Sequence, residues 1–215
     1  MPRMFSKKIR KVTRKKKPVI LFIAEGKNVT ESQYFTSFQK QHNGFSIQIL
    51  TTDHSTDPKR LFQKITRYWK DKELDEKQGD IGFIVLDLDC NSDKANLIRE
   101  LSKKNSFIKF IVSNPCFEVW FLLHFKYTTH TYASSSETVR ALRNYISNYE
   151  KNMSVAEAIA DKLENAMTNA GKLKKYFEEI GAEWPSEMCN PCTDVPIVID
   201  VFNKYNNNEK KKGKD

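Results

Sequence analysis

Two apolar runs decide the fold: VILFIAEG at residues 19–26 and IGFIVLDLD at residues 81–89. Each is of strand length, and its hydrophobicity is continuous, which is typical of a strand buried on both faces in a parallel sheet covered by helices. Each run ends in acidic residues, namely Glu25 in the first and Asp87 and Asp89 in the second. The pattern predicts two buried strands with carboxylates at their carboxyl ends.

Further strands and helices alternate around these two runs. Strands are predicted at residues 45–51 and 107–112, and helices at residues 28–40, from residue 57 onward and at residues 94–103. Asn28 and Glu31 have the spacing of a capping box, so we assign Glu31 to capping the first helix. The βαβαβαβ alternation predicts an α/β fold with a mostly parallel four-stranded sheet in the order 2-1-3-4 and helices on both faces.

The character of the chain changes after Asn114-Pro115 and becomes helical. Helices are predicted at residues 116–126, 136–149, 155–180 and 194–203. The chain therefore divides into an α/β core over residues 18–115 and a helical elaboration over residues 116–203 that packs on this core.

The formal net charge of +9 comes from the two ends of the chain. Residues 1–17 contain nine Lys or Arg and no acid, residues 204–215 have a net charge of +3, and residues 18–203 have a net charge of −3. We predict that both ends are basic disordered tails. Such tails attract phosphate backbones without reading sequence, so Lys15, Lys16 and Lys17 are candidate nucleic-acid contacts. An equally open alternative is that the tails only aid solubility.

The cysteines and the lack of a signal peptide predict a cytoplasmic protein. The most apolar run, residues 117–125, has nine residues and contains Glu118 and His124, so it is too short to span a membrane. Cys189 and Cys192 have the spacing of metal ligands, but one pair cannot close a tetrahedral zinc site.

The acidic residues at the strand ends predict a metal site. Ligands of open α/β sheets collect beyond the carboxyl ends of the strands near the topological switch point, and residues two apart on an extended strand point to the same side. Glu25, Asp87 and Asp89 would then converge and repel one another, so they would need a counter-cation. Their hard oxygens suit Mg²⁺ or Mn²⁺. The alternative is that aspartate simply favours the turn after a strand.

Glu118 is a further candidate metal ligand. An unpaired carboxylate is costly in so apolar a segment, and the preceding strand would bring it to the same edge of the sheet. The alternative is that the first turn of a helix tolerates an acid through the helix dipole. Ser113 and Asn114, at the end of that strand, and Lys27, after Glu25, are candidate phosphate-binding residues.

The chain resembles the Toprim domain of topoisomerases, primases and some nucleases through ILFIAEGKNVTESQYF at residues 20–35 and IVLDLD at residues 84–89. It resembles more closely the RloB-like family of bacterial defence and restriction-associated loci, through SNPCFEVWFLLHF at residues 113–125 and NPCTDVPIVIDVF at residues 190–202. The resemblance spans roughly residues 18–203. It implies that Asp87 and Asp89 bind Mg²⁺ and that Glu25 acts as a general acid or base or positions the metal.

The same resemblance implies a metal-dependent nuclease that cleaves RNA such as tRNA, or DNA, in anti-phage defence, together with an ABC-type ATPase partner. The alternative is a non-catalytic docking or regulatory subunit of an ATPase-containing complex. A primase-like nucleotidyl transferase is a third alternative, which is disfavoured because the chain lacks the extra domains that primases use. The sequence leaves the oligomeric state open, a homo-oligomer included.

Overall fold

The structure is a computed structural model that describes residues 17–26, 29–40, 44–52 and 54–212, without the side chains of residues 208–212. Its centre is one five-stranded sheet in the order β2-β1-β3-β4-β5. The strands are β1 (Val19–Ala24), β2 (Ser46–Leu50), β3 (Ile81–Asp87), β4 (Ile108–Asn114) and β5 (Cys192–Thr193).

The predicted α/β class and the order 2-1-3-4 are confirmed, because β2, β1, β3 and β4 pair in parallel in that order. The predicted number of four strands is wrong, because β5 adds to the free edge of β4 in the antiparallel direction. A strand of two residues is too short to leave a periodic signal in the sequence.

The first half of the chain forms three helices between the parallel strands. They are α1 (Val29–Ser37), α2 (Pro58–Asp71) and α3 (Ser92–Ser102), and short 3-10 turns follow at Phe38–Lys40 and Glu76–Gln78. Asp57 begins α2, because its side chain accepts hydrogen bonds from the backbone N–H groups of Lys59 and Arg60. Helices α2 and α3 bury an apolar face, which includes Leu61 and Ile98, on one side of the sheet.

The second half of the chain is helical, as predicted. Its helices are α4 (Glu118–Leu123), α5 (Ser135–Leu142), α6 (Ala156–Ile159) with a 3-10 turn at Ala160–Lys162, α7 (Leu163–Glu179) and α8 (Val195–Lys212). Together with α1, these helices cover the other face of the sheet in one shared core. Phe202 of α8 shows this sharing, because its ring stacks on Phe45 at 4.9 Å and meets Phe22 of β1 at 6.3 Å.

The start of the carboxyl-terminal segment is helical, whereas we predicted disorder from residue 204. Helix α8 continues to Lys212. The Tyr205 hydroxyl donates a hydrogen bond to the carbonyl of Gly79, and its ring packs on Phe45. These contacts anchor the first turn beyond residue 203, and composition alone carries no signal of them. Residues 1–16 and 213–215 lie outside the described residues.

None of the helices in the described part of the chain is long and apolar enough to cross a membrane.

Candidate functional site: an acidic pocket at the sheet edge

The carboxyl ends of β1 and β3 meet at the topological switch point of the sheet. Strand β1 connects to β2 on one side, whereas β3 and β4 lie on the other. The backbone N–H of Glu25 donates to the carbonyl of Val85 at 3.1 Å, so the chain keeps beside β3 for one residue past the end of β1. The negative charge of Glu25 also contributes to the raised pKa of Asp87. Glu25 and Asp87 therefore lie together.

Asp87 connects this edge to the start of α4. Its Oδ1 accepts a hydrogen bond from the backbone N–H of Phe117 at 2.7 Å. Burial raises the pKa of Asp87 well above its ordinary value, and the negative charges of Glu25, Glu31 and Glu118 raise it further. Four carboxylates thus act on one another at this edge, as expected for like charges in a shared, poorly hydrated space.

Glu118 lies at the first residue of α4, with only 2% of its surface exposed. Its Oε1 accepts a hydrogen bond from the Tyr149 hydroxyl at 3.0 Å, and the Lys151 ammonium lies 3.9 Å from the same oxygen. Burial and the nearby Glu118 carboxylate raise the pKa of the Cys116 thiol. The strand before it therefore brings Glu118 to the predicted edge, where it already has partners within the fold.

Glu31 is the carboxylate that the sequence analysis did not assign to the site. Its predicted capping partner, Asn28, lies outside the described residues. Burial raises the pKa of Glu31 to about 7, and the negative charges of Glu118 and Glu25 contribute. The signal was present in the sequence, because the helix after β1 begins at the same sheet edge as the Glu25 carboxylate. We call Glu25, Glu31, Asp87 and Glu118 the acidic pocket.

Asp89 lies beyond the end of the strand that positions Asp87. Strand β3 ends at Asp87, and both Asp89 and Cys90 have left-handed backbone conformations, with φ of 53° and 55°. The rule that residues two apart share a side holds only within an extended strand. The strand geometry therefore does not place Asp89 beside Asp87, and the Asp89 side chain is 55% exposed.

Lys94 bridges Glu25 and Asp89. Its Nζ lies 2.9 Å from Glu25 Oε2 and 3.3 Å from Asp89 Oδ2, and its side chain is 11% exposed. Lys94 belongs to the first turn of α3, which also begins at this edge of the sheet. Burial still raises the pKa of Glu25, although Lys94 acts to lower it. A lysine thus supplies part of the positive charge that we had assigned to a metal ion.

A metal ion needs several donor atoms placed around one point. Among the described residues, no three His, Cys, Asp or Glu side chains are placed so that they could hold one. The donor chemistry suits a hard divalent cation, since every donor is a carboxylate oxygen. The positions do not suit one as they stand, because Lys94 is paired with both Glu25 and Asp89. Binding of an ion requires Lys94 to release Glu25.

Ser113 and Asn114 face inward, and their polar atoms have partners in the fold. The Ser113 hydroxyl bonds to the Thr193 hydroxyl at 2.7 Å and so ties β4 to β5. The Asn114 amide donates to carbonyls of the 186–189 loop, and its oxygen accepts from the backbone N–H of Cys90. These contacts do not fit the expectation that the two residues bind phosphate.

Of the four lysines predicted to contact nucleic acid, only Lys17 lies within the described residues. Lys27, Lys15 and Lys16 lie outside the described residues. Lys17 is exposed and precedes β1, so it lies at the amino end of that strand. A six-residue strand is about 20 Å long, which separates Lys17 from the acidic pocket by that distance. Any contact of Lys17 with a nucleic acid would be remote from the carboxylates.

His124 is a core residue. It is 1% exposed, and its Nδ1 lies 2.9 Å from the carbonyl oxygen of Trp120. Burial lowers its pKa to about 4. The imidazole is therefore neutral at physiological pH and belongs to the packing of α4.

The comparisons with known proteins identify the family of the chain. A family model described as RloB-like protein matches residues 20–201, which is most of the chain. Neither the search of curated proteins nor the search of solved structures found a match. The matched segment includes all five strands except Val19, and the whole acidic pocket. The chain therefore belongs to the RloB-like family.

Proposed function

We propose that the chain is a metal-dependent nuclease that hydrolyses phosphodiester bonds at the acidic pocket. The observation that carries the proposal is the meeting of carboxylates from β1, β3, α1 and α4 at the switch point of the sheet. Open α/β sheets bind their ligands at this place. Structural ion pairs also perturb pKa values, but a pocket with more carboxylates than lysines needs protons or a further cation.

The cation would be Mg²⁺ or Mn²⁺, held by Glu25 and Asp87 with Glu118 and Asp89 as further ligands. When bound, the ion supplies positive charge that offsets the charge of the phosphodiester and favours the attacking water. Glu31 has a pKa of about 7, so it can accept or donate a proton near neutral pH. Lys94, once released from Glu25, can contact a phosphate oxygen as a compact cation.

The biological setting of the proposal comes from the resemblance to defence-associated proteins. We propose that the substrate is RNA such as tRNA, or DNA, and that cleavage acts against phage. An ABC-type ATPase is the proposed partner. The defence role and the ATPase partner rest on the resemblance, so each requires its own test.

The test is a cleavage assay with the full chain. tRNA, single-stranded RNA, single-stranded DNA and duplex DNA are incubated with Mg²⁺ or Mn²⁺, with EDTA as the metal control. We expect ion-dependent cleavage that Asp87→Asn and Glu25→Gln abolish. Asp93→Asn is the matched control, because Asp93 is exposed in the first turn of α3 and lies outside the acidic pocket. Circular dichroism checks that each variant is folded.

Two outcomes contradict the proposal. One is cleavage that continues in both pocket variants, which would indicate a different site or a contaminating nuclease. The other is an inert wild-type chain under all ion conditions, both alone and with the ATPase partner and ATP added.

A second candidate function is a non-catalytic docking or regulatory subunit of an ATPase complex. The observation that favours it is the ion pair of Lys94 with Glu25 and Asp89, which supplies part of the charge balance without a metal. This candidate predicts that the chain co-purifies with the ATPase and that Asp87→Asn retains full protection against phage in cells. Loss of protection by a folded, partner-bound Asp87→Asn chain would contradict it.

A further inference from the structure

An open groove of about 810 Å³ lies between the loop after β2 and the exposed side of α2. Three basic residues of α2 line it, namely Arg60, Lys64 and Arg67, and all three are exposed. Hydroxyl-bearing residues of the loop, including Thr52 and Ser55, line the opposite side. The volume lies within the usual range of ligand-binding clefts, which is about 300–1,000 Å³.

The three cations form a stripe along one side of α2. At about 100° per residue, Arg60, Lys64 and Arg67 lie within about 60° of one another around the helix. At about 1.5 Å of rise per residue, they follow one another at about 6 Å and 4.5 Å along the axis. Asp57 and Asp71 stand at the two ends of the helix, and Asp57 is engaged in capping it. Among the described lining residues, the three basic side chains therefore lie between the two acids.

The loop that lines the groove is hydrogen-bonded to Gly26, the residue after Glu25. The Thr52 hydroxyl donates to the carbonyl of Gly26 at 2.6 Å, and the backbone N–H of Gly26 donates to the carbonyl of Ser55 at 3.2 Å. Gly26 directly follows Glu25. It has a left-handed backbone with φ of 63°, and no described atom lies within 4 Å of the position where a Cβ would stand. The groove loop therefore meets the chain directly beside Glu25, and the described atoms leave space at Gly26.

We infer that this groove binds the sugar-phosphate backbone of a single-stranded nucleic acid and leads it to the acidic pocket. The inference rests on the proposed function for the identity of the anion. Carboxylates repel phosphates, so a strand can approach the pocket only where cations hold the neighbouring phosphates. The groove places a row of three cations along α2, and the loop opposite them is bonded to the residue after Glu25. A single strand can bend from the helix surface into a recess, whereas duplex DNA resists bending over about 150 base pairs.

A charged helix face is often only a solvated surface. Helix α2 also carries basic residues outside the groove, which serve as a comparison. Lys59 and Lys70 are exposed on the same helix but do not line the groove. They lie about 80–100° around the helix from Arg60. A general attraction of α2 for polyanions would involve these lysines as much as the groove residues. Lys59 and Lys70 therefore form a matched comparison with Arg60 and Arg67.

The test measures binding without cleavage. Fluorescence anisotropy of labelled single-stranded RNA and single-stranded DNA is recorded in EDTA with the full chain, over a series of salt concentrations. The groove variant is Arg60→Ala with Arg67→Ala, and the control is Lys59→Ala with Lys70→Ala. Both remove two charges from α2, and both retain the basic amino-terminal segment.

The expected effect follows from counterion release. Each phosphate contact with a single strand contributes about 0.7 to the slope of log K against log salt, so two lost contacts lower the slope by about 1.4. At about 0.1 M salt this corresponds to roughly 25-fold weaker binding by the groove variant. The control pair should keep the wild-type affinity and slope. The RNA and DNA probes show which of the two backbones the groove prefers.

Three results would overturn the inference. The first is equal weakening by the groove and control variants, which would indicate nonspecific attraction. The second is duplex DNA binding as tightly as the single strands and with the same sensitivity to the groove variant. The third is equal binding of polyglutamate, which would indicate a site for acidic polymers in general. EDTA excludes metal-dependent cleavage, so the binding assay tests the groove separately from the nuclease activity. A loss of binding counts against the groove, and a lack of cleavage with Mg²⁺ or Mn²⁺ counts against the proposed function.

Discussion

Replacement of Glu31 by glutamine tests whether the acidic pocket holds as much negative charge as the structure indicates. The pKa of Glu31 is raised from its ordinary value of 4.5 to about 7, first by burial and then by Glu118 and Glu25. Each unit by which the pKa differs between the folded and unfolded chain corresponds to about 1.4 kcal/mol. The shift therefore amounts to about 3 kcal/mol in the free energy of unfolding.

The sign follows from the raised pKa. The folded chain binds the proton on Glu31 more tightly than the unfolded chain does, so the stabilisation is fully present below pH 4.5 and is lost as the pH rises to about 7. Glutamine has a similar shape and does not titrate. The stability of Glu31→Gln relative to wild type should therefore increase by about 3 kcal/mol between about pH 4.5 and pH 8.

The assay is urea unfolding monitored by tryptophan fluorescence across this pH range. Glu157→Gln is the control, because Glu157 is an exposed glutamate on α6. Addition of Mg²⁺ near the upper end of the range separates the two sources of neutralisation, since an ion in the pocket should stabilise wild type more than Glu31→Gln. A stability difference that does not change with pH would refute the inference that Glu31 belongs to a crowded group of carboxylates.

Three further predictions concern the same fold. Lys94→Met breaks a pair whose two side chains are 11% and 13% exposed, so the free energy of unfolding should fall by about 3 kcal/mol, and by more at alkaline than at acidic pH, in urea titrations. Phe202→Ala leaves a cavity at a fully buried position and should lower the free energy of unfolding by about 3–5 kcal/mol. A decrease below about 1 kcal/mol would contradict the placement of α8 in the core. Asp57→Ala removes the cap of α2 and should lower the free energy of unfolding by about 0.5–2 kcal/mol. Asp57→Asn keeps a capping side chain and should be nearly as stable as wild type.

The sequence by itself determined the class of the fold and the positions of most of its elements. Continuous apolar runs predict β1 and β3 because strands buried on both faces have no polar side. Asp57-Pro58 predicts the start of α2 because the cap and the fixed φ of proline are local properties. The strand order also follows from the chain, because the alternation of strands and helices allows few handed connections.

The tertiary structure alone decided which charges meet. Lys94 and Glu25 are 69 residues apart, and no local pattern reports that the first turn of α3 projects an ammonium group toward the end of β1. Asp87 and Asp89 are two residues apart, yet the strand ends at Asp87, and Asp89 has a left-handed backbone and a side chain that is 55% exposed. Asn114 looked suited to binding phosphate but holds a loop from the far end of the chain. Electrostatic partners depend on distances in space, and a linear pattern records those distances only within one strand or one helix.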